Sequence, residues 1–332
     1  MKKLGTLLML GIIFLAAFSC NEKSEKKASF LPPSTGSVNS LMVVIDTELW
    51  QGEIGDKIRE LFAAPAPTYM PEQPILTLTQ LPPQVFKGTA LHARSVLFVA
   101  ADSTAKAHIK TDIYATPQKL AVVKGAKKSE LLKGLEDIAQ EAITAFRNTD
   151  ISETQKRFKR SLSKEKALEN TFGVSLTLPS VYRLGKEEAN FVWFDRQIPK
   201  GNMNIIAYAL PADIFSVDST FVRDIVRVRD SIVKENIPGE YEGTYMMTEK
   251  AFAPFVYPAE IGGKKAAEVR GIWEIHGYPM AGPFLSYIIN DKENNRKLVL
   301  EGFTFAPNTQ KRDYMFELEA VLKTLRFDVE DK

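Results

Sequence analysis

The sequence predicts an α+β fold of two α/β regions, the second an antiparallel sheet covered on one face by helices. Three observations carry this. Short apolar runs of the buried-strand kind recur, the first at 41–45 (Leu-Met-Val-Val-Ile). Apolar residues at helical spacing form single stripes, as Leu131, Leu135, Ile138, Ala142 and Phe146 do. The order also changes along the chain. Strand, helix, strand, strand and helix come first; three strands, a helix, three strands and a helix come after.

Residues 1–19 are set apart from the fold. Lys2 and Lys3 precede an uncharged apolar stretch at 4–18. As a helix it covers about 22 Å, short of the roughly 30 Å hydrocarbon core, so it reads as a cleaved signal peptide. It ends in Ala17-Phe18-Ser19-Cys20, which resembles a bacterial lipobox, where a cysteine is acylated and becomes the new N-terminus. Residues 20–38 (with Pro32-Pro33-Ser34-Thr35-Gly36-Ser37) are expected as a lipidated flexible tether.

A small α/β domain is expected at 39–150. Its strand at 41–45 leads to a helix opening near Trp50, with Ile54, Ile58, Leu61 and Phe62 on one face. The proline-punctuated stretch 65–83 cannot be helical and reads as an extended excursion. Strands at 95–100 and 119–124 precede the long helix. A helical connector at 151–171 carries Lys156, Arg157, Lys159, Arg160, Lys164 and Lys166. That run is either a solvated face, as neighbouring Glu153, Glu165 and Glu169 suggest, or a contact for phosphate or an anionic lipid headgroup.

The sandwich domain is expected at 172–328, with strands at 176–184, 191–195 and 203–210. A helix at 219–235 buries Phe221, Ile225, Val228 and Ile232. Strands at 268–276, 284–289 and 297–304 come next, with a hairpin turn at 290–296 (NDKENNR). The last helix carries Tyr314, Leu318, Val321 and Leu325.

Composition narrows the function. Among 332 residues, 45% are hydrophobic, and Lys+Arg 43 against Asp+Glu 41 leaves +2. That balance argues against a nucleic-acid partner, and the apolar fraction against a disordered chain. One cysteine permits neither an internal disulfide nor a Cys-rich metal site. Cys20 stands where lipid attachment needs it, so the membrane is the first expected partner, reached through palmitate-type acyl chains. Loss of 1–19 removes Lys2 and Lys3 and leaves acids and bases equal, so charge is not the anchor. Asn21 is not the Asp that retains lipoproteins at the inner membrane, which favours the outer membrane, its periplasmic or surface face left open.

The run Gly271-Ile272-Trp273-Glu274-Ile275-His276-Gly277-Tyr278-Pro279-Met280-Ala281-Gly282-Pro283-Phe284 resembles a signature of an uncharacterised lipoprotein family of the Bacteroidetes, a domain of unknown function. Asn190-Phe191-Val192-Trp193, Val43-Val44-Ile45-Asp46 with Trp50, and Leu322-Lys323-Thr324-Leu325-Arg326-Phe327 extend the likeness over roughly 40–328, with Ala281 a departure from Gly. It implies a lineage and a cell-envelope address but no mechanism. The second region is more distantly similar to the Mog1/PsbP-type α/β/α sandwich, whose members mostly bind partners.

No HExxH, GxSxG, P-loop or GxGxxG is present, and His92, His108 and His276 are far apart. No catalytic residue, metal or cofactor is assigned. Asp46 and Asp102 end two strands that, if parallel neighbours, put both acids at one carboxyl edge; the other reading is that they serve turns and caps. The candidate binding surface is Trp273, Glu274, His276, Tyr278, Met280 and Phe284, aromatic and Met side chains among glycines and prolines. Alternation leaves open that Trp273 is core instead. The Pro-rich aromatic stretch 252–258, expected as a loop, joins that surface. The leading expectation is a lipid-anchored envelope protein that binds a protein, glycan or other ligand without catalysis. The alternatives are an envelope hydrolase with a site assembled only in three dimensions, and a structural assembly subunit.

Overall fold

The computed structural model describes residues 30–69, 71–215 and 220–327. The expected signal peptide and the expected lipid site, Cys20, lie outside the described residues. The chain divides at Pro32, and both sheets belong to the unit from Pro33 onward.

The first sheet begins with β1 (Ser40–Val44), followed by α1 (Thr47–Gln51) and α2 (Glu53–Phe62). β2 (Thr77–Leu81), β3 (Ser95–Ala101), β4 (Lys106–Thr111) and β5 (Lys119–Gly125) complete it in the order β2-β1-β3-β5-β4. The first four strands are parallel and β4 is an antiparallel edge. Two strands correct the sequence expectation. The 65–83 stretch is not extended excursion alone, because its proline-free segment forms β2 along β1. β4 reads Lys-Ala-His-Ile-Lys-Thr, mostly exposed, and an edge strand needs no apolar run to be paired.

α3 (Lys128–Phe158) is one helix of 31 residues, about 46 Å long. Leu131, Leu135, Ile138, Ala142 and Phe146 pack with Ile54, Ile58 and Phe62 of α2 on one sheet face. Residues 83–93, through Phe86, cover Val44, Val96 and Val122 on the other. Past residue 150 the helix continues, and Ile151 packs against Phe316 and Ala320 near the chain's end.

The second sheet is antiparallel throughout. After α4 (Ala167–Phe172) come β6 (Arg183–Glu188), β7 (Phe191–Ile198) and β8 (Gly201–Pro211), then α5 (Phe221–Asn236). β9 (Tyr245–Thr248), β10 (Phe255–Ile261), β11 (Lys264–His276), β12 (Tyr278–Asp291) and β13 (Arg296–Phe305) precede α6 (Arg312–Leu322). The order is β10-β11-β12-β13-β8-β7-β6, with β9 beside the end of β11. Three expectations change. The strand placed at 176–184 starts only at Arg183, because Leu178 and Tyr182 reach the core from irregular chain. The stretch 252–258 is half strand, since β10 hydrogen-bonds β11 from Phe255. Helices cover both faces rather than one. α5 packs on one face through Ile225, Val228 and Val233, and α4 and α6 on the other through Phe172, Leu318 and Val321. The fold is α+β, and its second sheet forms an α/β/α sandwich.

Candidate functional site

The expected surface at 271–284 divides. Trp273 and Phe284 are each 1% exposed and belong to the core under α5, which removes both from any surface. The glycines explain why. Trp273 lies across from Gly282 and Phe284 across from Gly271 in the β11–β12 ladder. A Cβ on Gly271 would meet the Phe284 ring at 2.5 Å, and one on Gly282 the Thr304 carbonyl oxygen at 2.1 Å. Each glycine makes room for an aromatic on the neighbouring strand, so the Gly-aromatic pattern is a packing device. The other four residues stay near solvent. His276 stacks on Tyr245 at 4.9 Å, Tyr278 meets Tyr241 at 5.3 Å, and Glu274 and Met280 are half-buried.

Asp46 and Asp102 do follow parallel neighbours, β1 and β3. Asp102 accepts from Lys124 Nζ at 2.8 Å and from the Thr104 amide at 3.1 Å. The lysine bond first, then the amide, holds its carboxyl below the ordinary range, which does not suit a general acid. Among the described residues, no group of three or more His, Cys, Asp or Glu has the arrangement of a metal site.

A more developed site lies where the proline-rich excursion meets β11, α3 and α6. The excursion is held there by its own chemistry. Residues 64–66 hydrogen-bond 73–75, and Gln73 Oε1 accepts from the amides of Lys311 and Arg312 at 2.9 and 3.0 Å, capping the entry to α6. Arg312 Nη1 donates to the Pro74 carbonyl at 3.0 Å. Beneath it is a polar cleft of about 620 Å³, within the range of small-molecule sites.

Glu319 of α6 is the floor of this cleft. Arg147 Nη2 from α3 and Arg270 Nη2 from β11 reach its Oε2 at 2.8 and 2.9 Å, and Lys323 Nζ its Oε1 at 2.7 Å. Burial alone would raise the Glu319 carboxyl, but Arg147, Arg270 and Lys323 outweigh it and hold the group far below the ordinary range. Glu268 is engaged in the same way, accepting from Arg270 Nε at 2.6 Å and the Tyr287 hydroxyl at 2.9 Å. Burial raises the Tyr69 phenol, and Arg270 and Arg147 pull it partly back. Among the described residues, no protein group hydrogen-bonds its hydroxyl.

Tyr69, with Ala66 and Pro67, also lines a second cavity of about 660 Å³. This one is apolar, walled by Pro65, Pro71, Phe252, Phe255 and Ile272. Phe252 and Phe255 are 54% and 46% exposed and line the same apolar wall, so they form a patch rather than singly exposed side chains. The basic run contributes elsewhere. Lys156 and Lys159 join Lys323 and Arg326 around a third cleft of about 490 Å³.

Residues 34–159 match one domain of unknown function (DUF8532) and residues 161–324 another (DUF4837). Both halves of the chain are similar to uncharacterised domains. No curated protein matches. Of the solved structures it matches, one is LpqN, involved in cell envelope biogenesis of Mycobacterium tuberculosis, with 15% identity over 46% of this chain and 82% of that one, at a TM-score of 0.27. Among the described residues, no helix is long and apolar enough to cross a membrane.

Sequence reasoning found one wall of the groove, the aromatics at 252–258, and missed the cleft. The available signal was a charge out of place: Glu319 interrupts the apolar run of α6 between Leu318 and Ala320.

Proposed function

We propose that this chain is an exported bacterial lipoprotein that binds a ligand in the paired cleft and groove without transforming it. Residues 1–19 are lost on export, Cys20 is acylated, and the tether, expected at 20–38 but ending before Ser34 and Thr35 hydrogen-bond Thr116 and His92, carries an α/β domain (39–150) and a sandwich domain (172–328), joined by the connector 151–171, at the outer membrane. Two acyl chains or more make such an anchor stable, each buried CH₂ contributing about 0.8 kcal/mol. Radioactive palmitate is expected to label the wild type and not Cys20→Ala. Equal labelling would overturn the anchor.

One observation supports binding: two adjoining cavities share Tyr69, and the acids of the polar one are already ion-paired. A hydrolase needs an acid or base free to exchange a proton with substrate. Glu268 and Glu319 instead spend their oxygens on guanidinium, ammonium and phenol donors. A binding protein gains from the same rigidity, because a fixed polar floor costs little to organise when ligand arrives. Native mass spectrometry of tagged protein from the cells that make it should reveal a bound small molecule at near-stoichiometric occupancy. The exposed pair Phe252→Ser and Phe255→Ser should lose it while keeping the thermal transition. Wild-type protein that carries nothing, or a variant that keeps the full adduct, would overturn this reading.

A further inference from the structure

We infer that the ligand is a single-chain amphiphile with a phosphate head, its acyl chain in the Phe252–Phe255 groove and its phosphate on the cationic side of the cleft. The inference rests on the proposed binding role and deepens it by naming the chemical class.

The two ends of the site differ in kind. The groove walls are proline rings, two exposed phenylalanines and Ile272; its one charged residue, Glu72, is solvent-exposed. Such a wall offers dispersion and area but almost no hydrogen bonding, which suits an alkyl chain. At Tyr69 the character changes. The phenol belongs to both cavities, and Arg270 and Arg147 act on it electrostatically, so it stands where a chain would meet its head. Beyond it the cleft turns positive. Arg147, Arg270 and Lys323 outnumber Glu319 and Glu268, and Arg147 and Lys323 are only about one-quarter and one-third exposed. Lys323 also lines the neighbouring cleft with Lys156, Lys159 and Arg326, of which Lys156 faces Glu153 at 3.6 Å, so the cleft keeps a net positive charge. Positive charge therefore rises away from the groove.

That gradient selects the head. A neutral head leaves the net positive charge of the lining uncompensated, and a carboxylate offers only two oxygens to the Arg147, Arg270 and Lys323 donors. A phosphate presents several acceptor oxygens, and guanidinium and ammonium donors bind it with charge-assisted hydrogen bonds. A groove of about 660 Å³ is of single-ligand size, so one chain is specified.

The test is calorimetric titration of the full-length chain with inorganic phosphate and with four lipids below their micelle concentrations. Palmitoyl lysophosphatidate should bind one to one. Palmitoylglycerol, which lacks the phosphate, and palmitate should each bind at least tenfold more weakly. Octanoyl lysophosphatidate should be weaker by at least about a hundredfold, since each CH₂ withdrawn from the groove forfeits apolar burial. The exposed double variant Lys156→Gln, Lys159→Gln should weaken lysophosphatidate several-fold and leave palmitoylglycerol unchanged, and raised salt should act in the same direction. Palmitoylglycerol or palmitate binding as tightly as lysophosphatidate would overturn the head assignment. Equal binding of the two chain lengths, or of inorganic phosphate alone, would overturn the amphiphile. If none of the probes binds while the native protein still carries its adduct, this inference fails and the binding role stands.

Discussion

Arg229→Met is expected to lose about 3–5 kcal/mol of stability, and Arg229→Met with Glu301→Leu to recover most of it. Arg229 of α5 and Glu301 of β13 lie inside the sandwich core, their side chains 3% and 0% exposed. The guanidinium grips the carboxylate twice, Nε to Oε2 at 2.9 Å and Nη2 to Oε1 at 2.6 Å. Its Nη1 donates to the Thr248 hydroxyl at 3.0 Å, and its plane lies 3.9 Å from the centre of the Phe284 ring. Burial alone would lower the Arg229 pKa, and Glu301 more than offsets it, so the net displacement is upward. Removing the arginine alone strands a carboxylate out of reach of water. Removing both exchanges two desolvated charges for apolar contact. Recovery is incomplete because the Ser286 and Thr248 hydroxyls each lose a partner. Urea midpoints at constant m-value measure both variants. If the double variant loses as much as the single, the pair is not the source of the effect.

The same residues explain what was legible in the sequence. β1, β3 and β5 declare themselves because burial on both faces demands unbroken apolar runs, and α3 and α5 because one buried face demands a stripe. β2 and β4 hide because an edge strand is held by backbone hydrogen bonds that leave no side-chain pattern. The polar interior hides for another reason. Arg229 and Glu301 are 72 residues apart, and Arg147 and Glu319 are 172 apart. No local spacing records such a partnership. What the sequence does contain is half of each pair as an anomaly. Glu301 follows Leu298-Val299-Leu300 in a strand that is otherwise core, and Arg229 sits on the stripe that buries Ile225 and Val233. A charge on a face that must be buried implies an opposite charge somewhere, and only the fold says where. The aromatic run at 271–284 misleads in the opposite direction. Its glycines and prolines among aromatics suggest a rigid binding loop, whereas Gly271 and Gly282 each lie against a ring.

Glu319→Gln is expected to destabilise the protein by about 3 kcal/mol at pH 7, and the gap to wild type should close in acid. The unfolded chain titrates this glutamate near the ordinary value of about 4.3. In the fold, Arg147, Arg270 and Lys323 hold it far lower. Above pH 5 the carboxylate is ionised in both states, and its full contribution is present. As pH falls below about 4.3 the unfolded chain takes up a proton that the native state refuses. The advantage then drains at about 1.4 kcal/mol per pH unit until the folded group titrates too. Glutamine has no proton to gain, so urea midpoints at pH 7, 4 and 3 should bring wild type toward the variant. A gap that stays constant with pH would mean that Glu319 contributes shape alone. The substitution has a second consequence of opposite sign. Glu319 is the internal anion of the cationic cleft, and without it Arg147, Arg270 and Lys323 face the cavity with one more uncompensated charge. Affinity for palmitoyl lysophosphatidate should therefore rise as stability falls, because the carboxylate that completes the fold also competes for the donors a phosphate would use.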